Sequence, residues 1–259
     1  MLNRAFIRRA ALWCVVHLSP RFRYRIRRRR QLAAKFVRGT GLEIGALHVP
    51  LQAPAAASVL HVDYMTTEQL RRMYPELGLL RTVNVDVVDD GEGLSGIRHG
   101  SLDFVVANHV IEHCEDPIGT LENWLRVLRP GGVIFMAVPD QRKTFDQARP
   151  LTTTEHLLRD HREGPGWSRS EHLREYATLA AKVAPDRVAE VVEKWIAAGI
   201  HPHYHVWTPH TFSEALNVMA REVRLPFRVE VVTEAAQEFL VVLRKVAVVG
   251  RPTEGGNSR

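Results

Sequence analysis

The chain has 259 residues, of which 45% are hydrophobic and 25% are charged. This composition fits one large globular domain and excludes a disordered, collagenous or fibrous chain. The net charge of +6 is confined to one end, because residues 1–40 hold 12 Lys and Arg and no acid, which leaves 23 basic against 29 acidic residues in the remainder. The body of the chain is therefore not a basic nucleic-acid-binding surface.

Residues 1–38 are predicted to form a basic arm. Arginines alternate there with apolar and aromatic side chains, a pattern typical of a segment that lies on an anionic membrane surface. A solvated arm and an RNA contact remain open as alternatives. The apolar run 10–18 is too short to span a bilayer and is followed by no small-residue cleavage site, so we do not interpret it as a signal peptide. With only two cysteines, Cys14 and Cys114, the sequence indicates a cytoplasmic protein, peripheral on the inner membrane face if the arm docks there.

Residues 39–250 are predicted to form one α/β domain, followed by a flexible tail at 251–259. Short β-rich runs alternate with helical stretches as far as Asp140, which predicts a mostly parallel sheet with helices on both faces. The candidate strands are 41–45, 58–63, 82–87, 102–107 and 133–138, and a hairpin-like pair of edge strands follows at 227–233 and 238–245.

Two helices carry clear start signals. Asp116 is a good N-cap and Pro117 suits the first helical position, which predicts a helix from Pro117 to about Leu128. A second capped helix follows Thr208-Pro209, from His210 to about Val223. Between these helices, residues 141–210 are polar and helical in pattern, and we predict that they form a helical cap over the strand ends.

Candidate ligand-binding residues follow the predicted strands, because open α/β sheets bind ligands at the carboxyl ends of their strands. The first strand ends in Glu43-Ile44-Gly45-Ala46-Leu47. Asp63 comes 18 residues after Gly45, close to the spacing of a ribose-binding acid in nucleotide-binding folds. The run Val85–Asp90 is a third strand that ends in acids.

Two longer motifs complete the set: residues 102–117, with Asp-Phe-Val-Val-Ala-Asn and Glu-His, and residues 125–139, with Leu-Arg-Pro-Gly-Gly. In this order the motifs resemble the class I S-adenosylmethionine-dependent methyltransferase family, and in particular a small bacterial branch whose first motif reads Glu-Ile-Gly-Ala-Leu-His. The resemblance is strong over residues 40–140. It implies a Rossmann-like, doubly wound, mostly parallel seven-stranded sheet with an antiparallel edge strand and a helical cap insertion, and S-adenosylmethionine as the cofactor.

The resemblance also implies roles for individual residues. The loop after the first strand would hold the methionine part of the cofactor, and the acid matching Asp63 would bond the ribose. Residues matching Asp86 and Val87 would face the adenine, and those matching Asn108 and His109 would line the methionine end. The predicted cofactor-binding residues are Glu43, Ile44, Gly45, Ala46, Leu47, Asp63, Tyr64, Asp86, Val87, Asn108 and His109.

The glycine pattern departs from the family at two positions. Leu47 and Val49 stand where the family has its second and third glycines, so the loop must follow another path around the cofactor. The same departure argues against a nicotinamide-dependent dehydrogenase, which needs a full G-x-G-x-x-G after its first strand.

Histidines supply the candidates on the acceptor side. His113 is predicted to act as the base that takes the acceptor's proton, because a neutral imidazole accepts protons near pH 7; packing against the following helix is the alternative. His201, His203 and His205 alternate in a pattern that favours an acceptor pocket, and no metal site is predicted. His156 and His172, each preceded by a glutamate, are secondary candidates near the mouth of the site.

The predicted activity is therefore methyl transfer from S-adenosylmethionine to an oxygen of a sugar, glycolipid or other small-molecule acceptor. Three alternatives remain open: an RNA methyltransferase that uses the basic arm as a tether, an enzyme for a quinone or other lipid-like molecule, and a non-catalytic regulatory protein that binds the cofactor. The sequence predicts no oligomeric state.

Overall fold

The structure is a computed structural model that describes residues 19–75 and 82–247. The apolar run 10–18, Cys14 and the predicted tail at 251–259 lie outside these ranges. In the described part of the chain, no helix is both long and apolar enough to cross a membrane.

The described residues form one seven-stranded sheet in the order β3-β2-β1-β4-β5-β7-β6. The strands are β1 Gly39–Ile44, β2 Ala57–Asp63, β3 Val87–Val88, β4 Leu102–Asn108, β5 Leu128–Pro139, β6 Phe227–Ala235 and β7 Glu238–Lys245. Strands β1 to β5 pair in parallel, and β7 pairs antiparallel with both β5 and β6. This confirms the Rossmann-like fold, with the antiparallel strand one place in from the edge rather than at it.

The centre of the sheet is buried on both faces. Phe104 and Val105 point to opposite faces of β4, and both are fully buried, as in a parallel sheet covered by two layers of helices. Gly41 lets β1 approach β4 closely, because a Cβ at this position would overlap the Phe104 carbonyl oxygen. The third strand is much shorter than predicted: only Val87 and Val88 pair with β2.

Seven α-helices of the described residues cover the sheet and form the cap. They are α1 Pro20–Phe36, α2 Thr67–Met73, α3 Pro117–Val127, α4 Thr154–Glu163, α5 Arg169–Glu175, α6 Val188–Ala197 and α7 Pro209–Arg221. The side chain of Asp116 accepts hydrogen bonds from the backbone N–H groups of Ile118 and Gly119, which confirms the predicted start of α3.

Helix α1 corrects the predicted domain boundary at residue 38. Ala33 and Val37 are fully buried and share a core cluster with side chains of β4 and β5, and Arg29 is only 5% exposed. Residues 20–37 are therefore part of the domain. The sequence missed this because the run of arginines masks a narrow stripe of small and apolar side chains on the inner face of the helix.

The cap consists of α4, α5, a π-helical turn at Tyr176–Ala180, α6 and the extended segment 201–207. This extended segment crosses the ends of the two central strands. The backbone N–H of Tyr204 donates to the Glu112 carbonyl oxygen just after β4, and Trp207 forms a β-bridge with Asp140 just after β5. The cap thereby brings its histidines to the carboxyl ends of the strands.

Candidate active site

The carboxyl ends of β1 and β4 lie side by side at the point where the strand order reverses. Doubly wound sheets bind their ligands in the crevice at this point, because the connections on its two sides run to opposite faces. The loop Gly45–Leu47, the pair Asp63-Tyr64 and the pair Asn108-His109 all leave the sheet at this edge. The structure therefore brings together most of the predicted cofactor-binding residues.

Glu43 organises the loop that follows β1. Both of its carboxylate oxygens accept from the backbone N–H of Leu51, at 2.9 and 3.0 Å, and Oε1 also accepts from Asn108 Nδ2 at 3.2 Å. Burial raises the pKa of Glu43 to about 7. These contacts make Glu43 a residue that positions the loop and the end of β4, while the neighbouring Ile44 is packed in the core.

In the loop after β1, Leu47 stands where the family has a glycine, and its backbone is strained as a result. Gly45 has a φ of 62° and Leu47 a φ of 47°. Leu47 thus adopts the left-handed conformation that a glycine would take without cost. Ala46 and Leu47 are half-buried at the crevice, and such strain persists at functional loops when surrounding contacts hold it in place.

The two residues after β2 differ in exposure. Asp63 is 8% exposed, its Oδ1 accepts from the Met65 backbone N–H at 3.4 Å, and burial raises its pKa. Tyr64 is 61% exposed. A buried carboxylate beside an exposed aromatic ring suits a ligand with hydroxyl groups and a flat base.

Asp86 does not lie at a strand end. It precedes β3, and its Oδ2 accepts from the His61 backbone N–H at 2.8 Å, two residues before the end of β2. Asp89 and Asp90 follow β3 instead, and Val87 is the first residue of the strand. Asp86 therefore lacks the strand-end position that the sequence predicted for it. The run of acids was visible in the sequence, but the register of this short strand was not.

Asn108 presents an unsatisfied acceptor at the end of β4. Its Nδ2 donates to Glu43, whereas its buried Oδ1 has no hydrogen-bond partner among the described residues. A buried amide oxygen without a donor costs free energy. The atom is thus suited to a ligand that donates hydrogen bonds.

His109 is clamped between two carboxylates. Its Nδ1 lies 3.3 Å from Glu112 Oε1 and its Nε2 lies 2.8 Å from Glu238 Oε2. Burial acts to lower the pKa of His109, but the two carboxylates outweigh it and raise the pKa. His109 has a φ of 58° and fixes the backbone after β4, and each of its ring nitrogens faces a carboxylate rather than a ligand.

His113 has one ring nitrogen committed to the backbone. Its Nδ1 lies 2.9 Å from the His201 carbonyl oxygen and 3.0 Å from that of Pro202, so Nδ1 carries the proton and Nε2 carries the lone pair. Burial lowers the pKa of His113. The side chain is therefore held as a neutral imidazole with a defined tautomer, which is the form a general base requires.

His203 is a second imidazole at the same place. Its Nδ1 lies 2.7 Å from Oδ2 of Asp146, and its ring packs edge-on against that of His113 with centroids 4.8 Å apart. Buried Arg149 fixes this pair, because it donates to Asp146 Oδ1 and to the His203 carbonyl oxygen. The alternating histidines pointed to His203, but no sequence signal identified Asp146 as its partner.

Glu112 lies beneath these rings. It is 1% exposed, and neither carboxylate oxygen makes a well-aligned hydrogen bond with a described residue. Burial acts to raise the pKa of Glu112, but the imidazoles of His109, His113 and His203 outweigh it and lower the pKa. Glu112 therefore places a buried negative charge against the rings of His109, His113 and His203.

Comparison with known proteins agrees with this architecture. Residues 38–136 match the family model described as a methyltransferase domain. Over 101 residues, 38% of this chain, the sequence is 34% identical to a probable S-adenosylmethionine-dependent methyltransferase of Mycolicibacterium smegmatis. The match spans only 36% of the length of that curated relative.

Solved structures of methyltransferases also match this chain, and that of the CurJ carbon methyltransferase illustrates the similarity of fold. It superposes with a TM-score of 0.50 at 14% identity, covering 92% of this chain and 58% of that one. An S-adenosylmethionine-dependent methyltransferase from Aquifex aeolicus gives a TM-score of 0.49 at 13% identity, covering 88% of this chain and 94% of that one.

Proposed function

We propose that the chain is a class I S-adenosylmethionine-dependent methyltransferase, which its similarity to a methyltransferase domain over residues 38–136 supports, and that it transfers a methyl group to a hydroxyl oxygen of a sugar, glycolipid or other small-molecule acceptor. The observation that carries this proposal is the position of His113, a neutral imidazole of fixed tautomer beside the crevice at the ends of β1 and β4.

The residues at the crevice fit S-adenosylmethionine. The buried carboxylate of Asp63 would accept hydrogen bonds from the ribose hydroxyls, and the turn at Asp90 would lie along the adenine. The unsatisfied Oδ1 of Asn108 would accept from the ammonium of the methionine part. When bound, this cofactor supplies an electrophilic methyl group on a positively charged sulfur.

The acceptor side is formed by the two imidazoles. The acceptor hydroxyl gives its proton to Nε2 of His113 as its oxygen becomes the nucleophile, and a positioned base of this kind contributes about 10²–10⁴ in rate. His203, held by Asp146, orients the acceptor. Alignment of acceptor and donor in one closed site supplies a larger share of the rate.

Radiolabelled cofactor incubated with fractionated cell extract tests the proposal. We expect label in a small-molecule or lipid fraction, and His113→Gln should lower incorporation by about 10²–10⁴. His210→Gln is the matched control, because His210 is 82% exposed on α7 and should leave turnover unchanged. Label in RNA would mean that the acceptor is RNA and not a small molecule. Absence of label from every fraction would favour a non-catalytic protein.

A location at an anionic membrane surface is supported by the outer face of α1. Arg23, Arg27 and Arg30 are exposed along this face, with Tyr24 beside them, and α1 contains no acid. Such a face attracts anionic lipid headgroups, which would bring the site close to a glycolipid acceptor.

A further inference from the structure

Four side chains of the cap form a second cluster of potential ligands. His156 and Asp160 lie one turn apart on α4, His172 lies on α5, and His205 lies on the extended segment 201–207. Each offers one nitrogen or carboxylate oxygen, and these four atoms all lie within 4.8 Å of one another. Residues 49 positions apart in the sequence thus meet at one point.

The distances within this cluster match those of a compact coordination sphere. Nε2 of His156 lies 2.8 Å from Nε2 of His172 and 3.0 Å from Oδ2 of Asp160, and Nε2 of His205 lies 3.9 Å from the same oxygen. Tetrahedral zinc with ligands at 2.0–2.1 Å places neighbouring ligand atoms roughly 3.3 Å apart. The observed spacings lie on both sides of this value, so small side-chain movements suffice to close the site.

Two of the four residues are completely buried and incompletely satisfied. Asp160 and His205 are both 0% exposed. Asp160 Oδ2 and His205 Nδ1 have no well-aligned hydrogen-bond partner among the described residues. Leaving such atoms unsatisfied is costly in a folded protein. A divalent cation would satisfy the Asp160 carboxylate, and it would replace the Glu115 carbonyl oxygen, 3.3 Å away, as the partner of His205 Nε2.

The surroundings of the cluster are those of a closed site. Ser168 Oγ donates to Asp160 Oδ1 at 2.7 Å, the kind of outer contact that orients a ligating carboxylate. The ring of Trp167 lies 5.0 Å from that of His156, and Trp207 stacks on His205. With four protein ligands and this cover, no position is left open for a substrate, which is the pattern of structural zinc sites.

We propose that His156, Asp160, His172 and His205 bind one zinc ion, which ties α4, α5 and the extended segment 201–207 together. The imidazole-rich set with a single carboxylate suits zinc rather than magnesium or calcium. Because His205 follows His203 by two residues, the ion also fixes the segment that carries the acceptor-side imidazole.

The test uses the untagged full-length protein, stripped with a chelator and titrated with Zn²⁺ against a chromogenic competitor, with metal content measured by mass spectrometry. We expect one zinc per chain. His172→Gln and Asp160→Asn should each weaken zinc binding by more than the roughly 10–100-fold caused by loss of an outer contact, and Ser168→Ala should fall within that range. His210→Gln should bind as the wild type does.

A thermal melt covers the case in which a ligand variant does not fold. Zinc binds only the folded cap, so adding Zn²⁺ to the stripped wild-type protein should raise its melting temperature, and Ser168→Ala should show a smaller rise at the same concentration. Absence of bound zinc and of any thermal shift overturns the proposal. So does zinc that is lost in His203→Gln but retained in His172→Gln, because the ion would then sit at the neighbouring group of Glu112, His113 and His203.

Discussion

Arg29 of α1 donates two hydrogen bonds to Glu238 of β7, from Nε at 2.7 Å and from Nη2 at 2.6 Å. Both side chains are almost fully buried, at 5% and 0% exposure. Because Glu238 also contacts His109, this pair connects the N-terminal helix to the strained residue after β4. The basic segment is therefore part of the framework of the candidate site.

Glu238→Gln is expected to destabilise the fold strongly. Removing one charge of a buried pair leaves the other uncompensated, which costs about 3–5 kcal/mol. Urea denaturation measures the free energy of unfolding. The control is Glu68→Gln, which breaks an exposed i,i+4 pair with Arg72 and should change that free energy by less than about 1 kcal/mol. If Glu238→Gln changed the free energy of unfolding as little as Glu68→Gln does, the buried pair would not be what holds α1 in place.

The lowered pKa of Glu238 leads us to predict that the protein loses stability in acid. Burial acts to raise the pKa of Glu238, but hydrogen bonds from Arg29 and His109 outweigh it and lower the pKa to about 2. Its unfolded pKa is about 4.3, so between about pH 4.3 and pH 2 the unfolded chain binds more protons than the folded one. The contribution of the Glu238 carboxylate to the free energy of unfolding is complete above this pH range, and it is lost as the pH falls through the range. Denaturation in this range should show a weaker pH dependence for Glu238→Gln than for the wild type.

Asp146 and His203 should act as one unit on the acceptor. His203→Gln and Asp146→Asn are each expected to lower kcat/KM for the acceptor roughly 10-fold, the scale of one lost hydrogen bond. The double variant should lose little more, because the two side chains share one interaction. Steady-state kinetics measures the loss in kcat/KM for each variant. Calorimetry of cofactor binding is the control. Fully additive losses would mean that Asp146 does not act through His203.

Binding to anionic vesicles should depend on the outer face of α1. Replacing Arg23, Arg27 and Arg30 by Gln removes about 1 kcal/mol per charge near the surface, so affinity should fall by about 3 kcal/mol, or roughly 150-fold. The control replaces three exposed basic residues elsewhere with the same change in net charge: Arg187, Lys194 and Arg221. In vesicle flotation, equal recovery on neutral and anionic lipid, or equal loss in both triple variants, contradicts a membrane-facing α1.

The sequence predicted those parts of the site that depend on local signals. The end of β1 and the start of α3 follow from residues within a few positions of one another. The partnership of Arg29 with Glu238 spans 209 positions and that of Asp146 with His203 spans 57, and no local pattern encodes either. Asp86 was predicted at the end of the third strand but precedes it, and this error has a different origin. A strand of two residues has too few alternating side chains to fix its register.

Calorimetric titration of the intact protein with S-adenosylmethionine is the most direct test of the central claim that the crevice at the ends of β1, β2 and β4 binds this cofactor. We predict binding of one molecule per chain, weakened by about 1.5–3 kcal/mol in Asp63→Ala through loss of a hydrogen bond to a charged group. Asp86→Asn should leave the affinity unchanged, because Asp86 contacts the His61 backbone away from the strand end. Absence of binding to the intact protein, or full affinity in Asp63→Ala, would contradict the account.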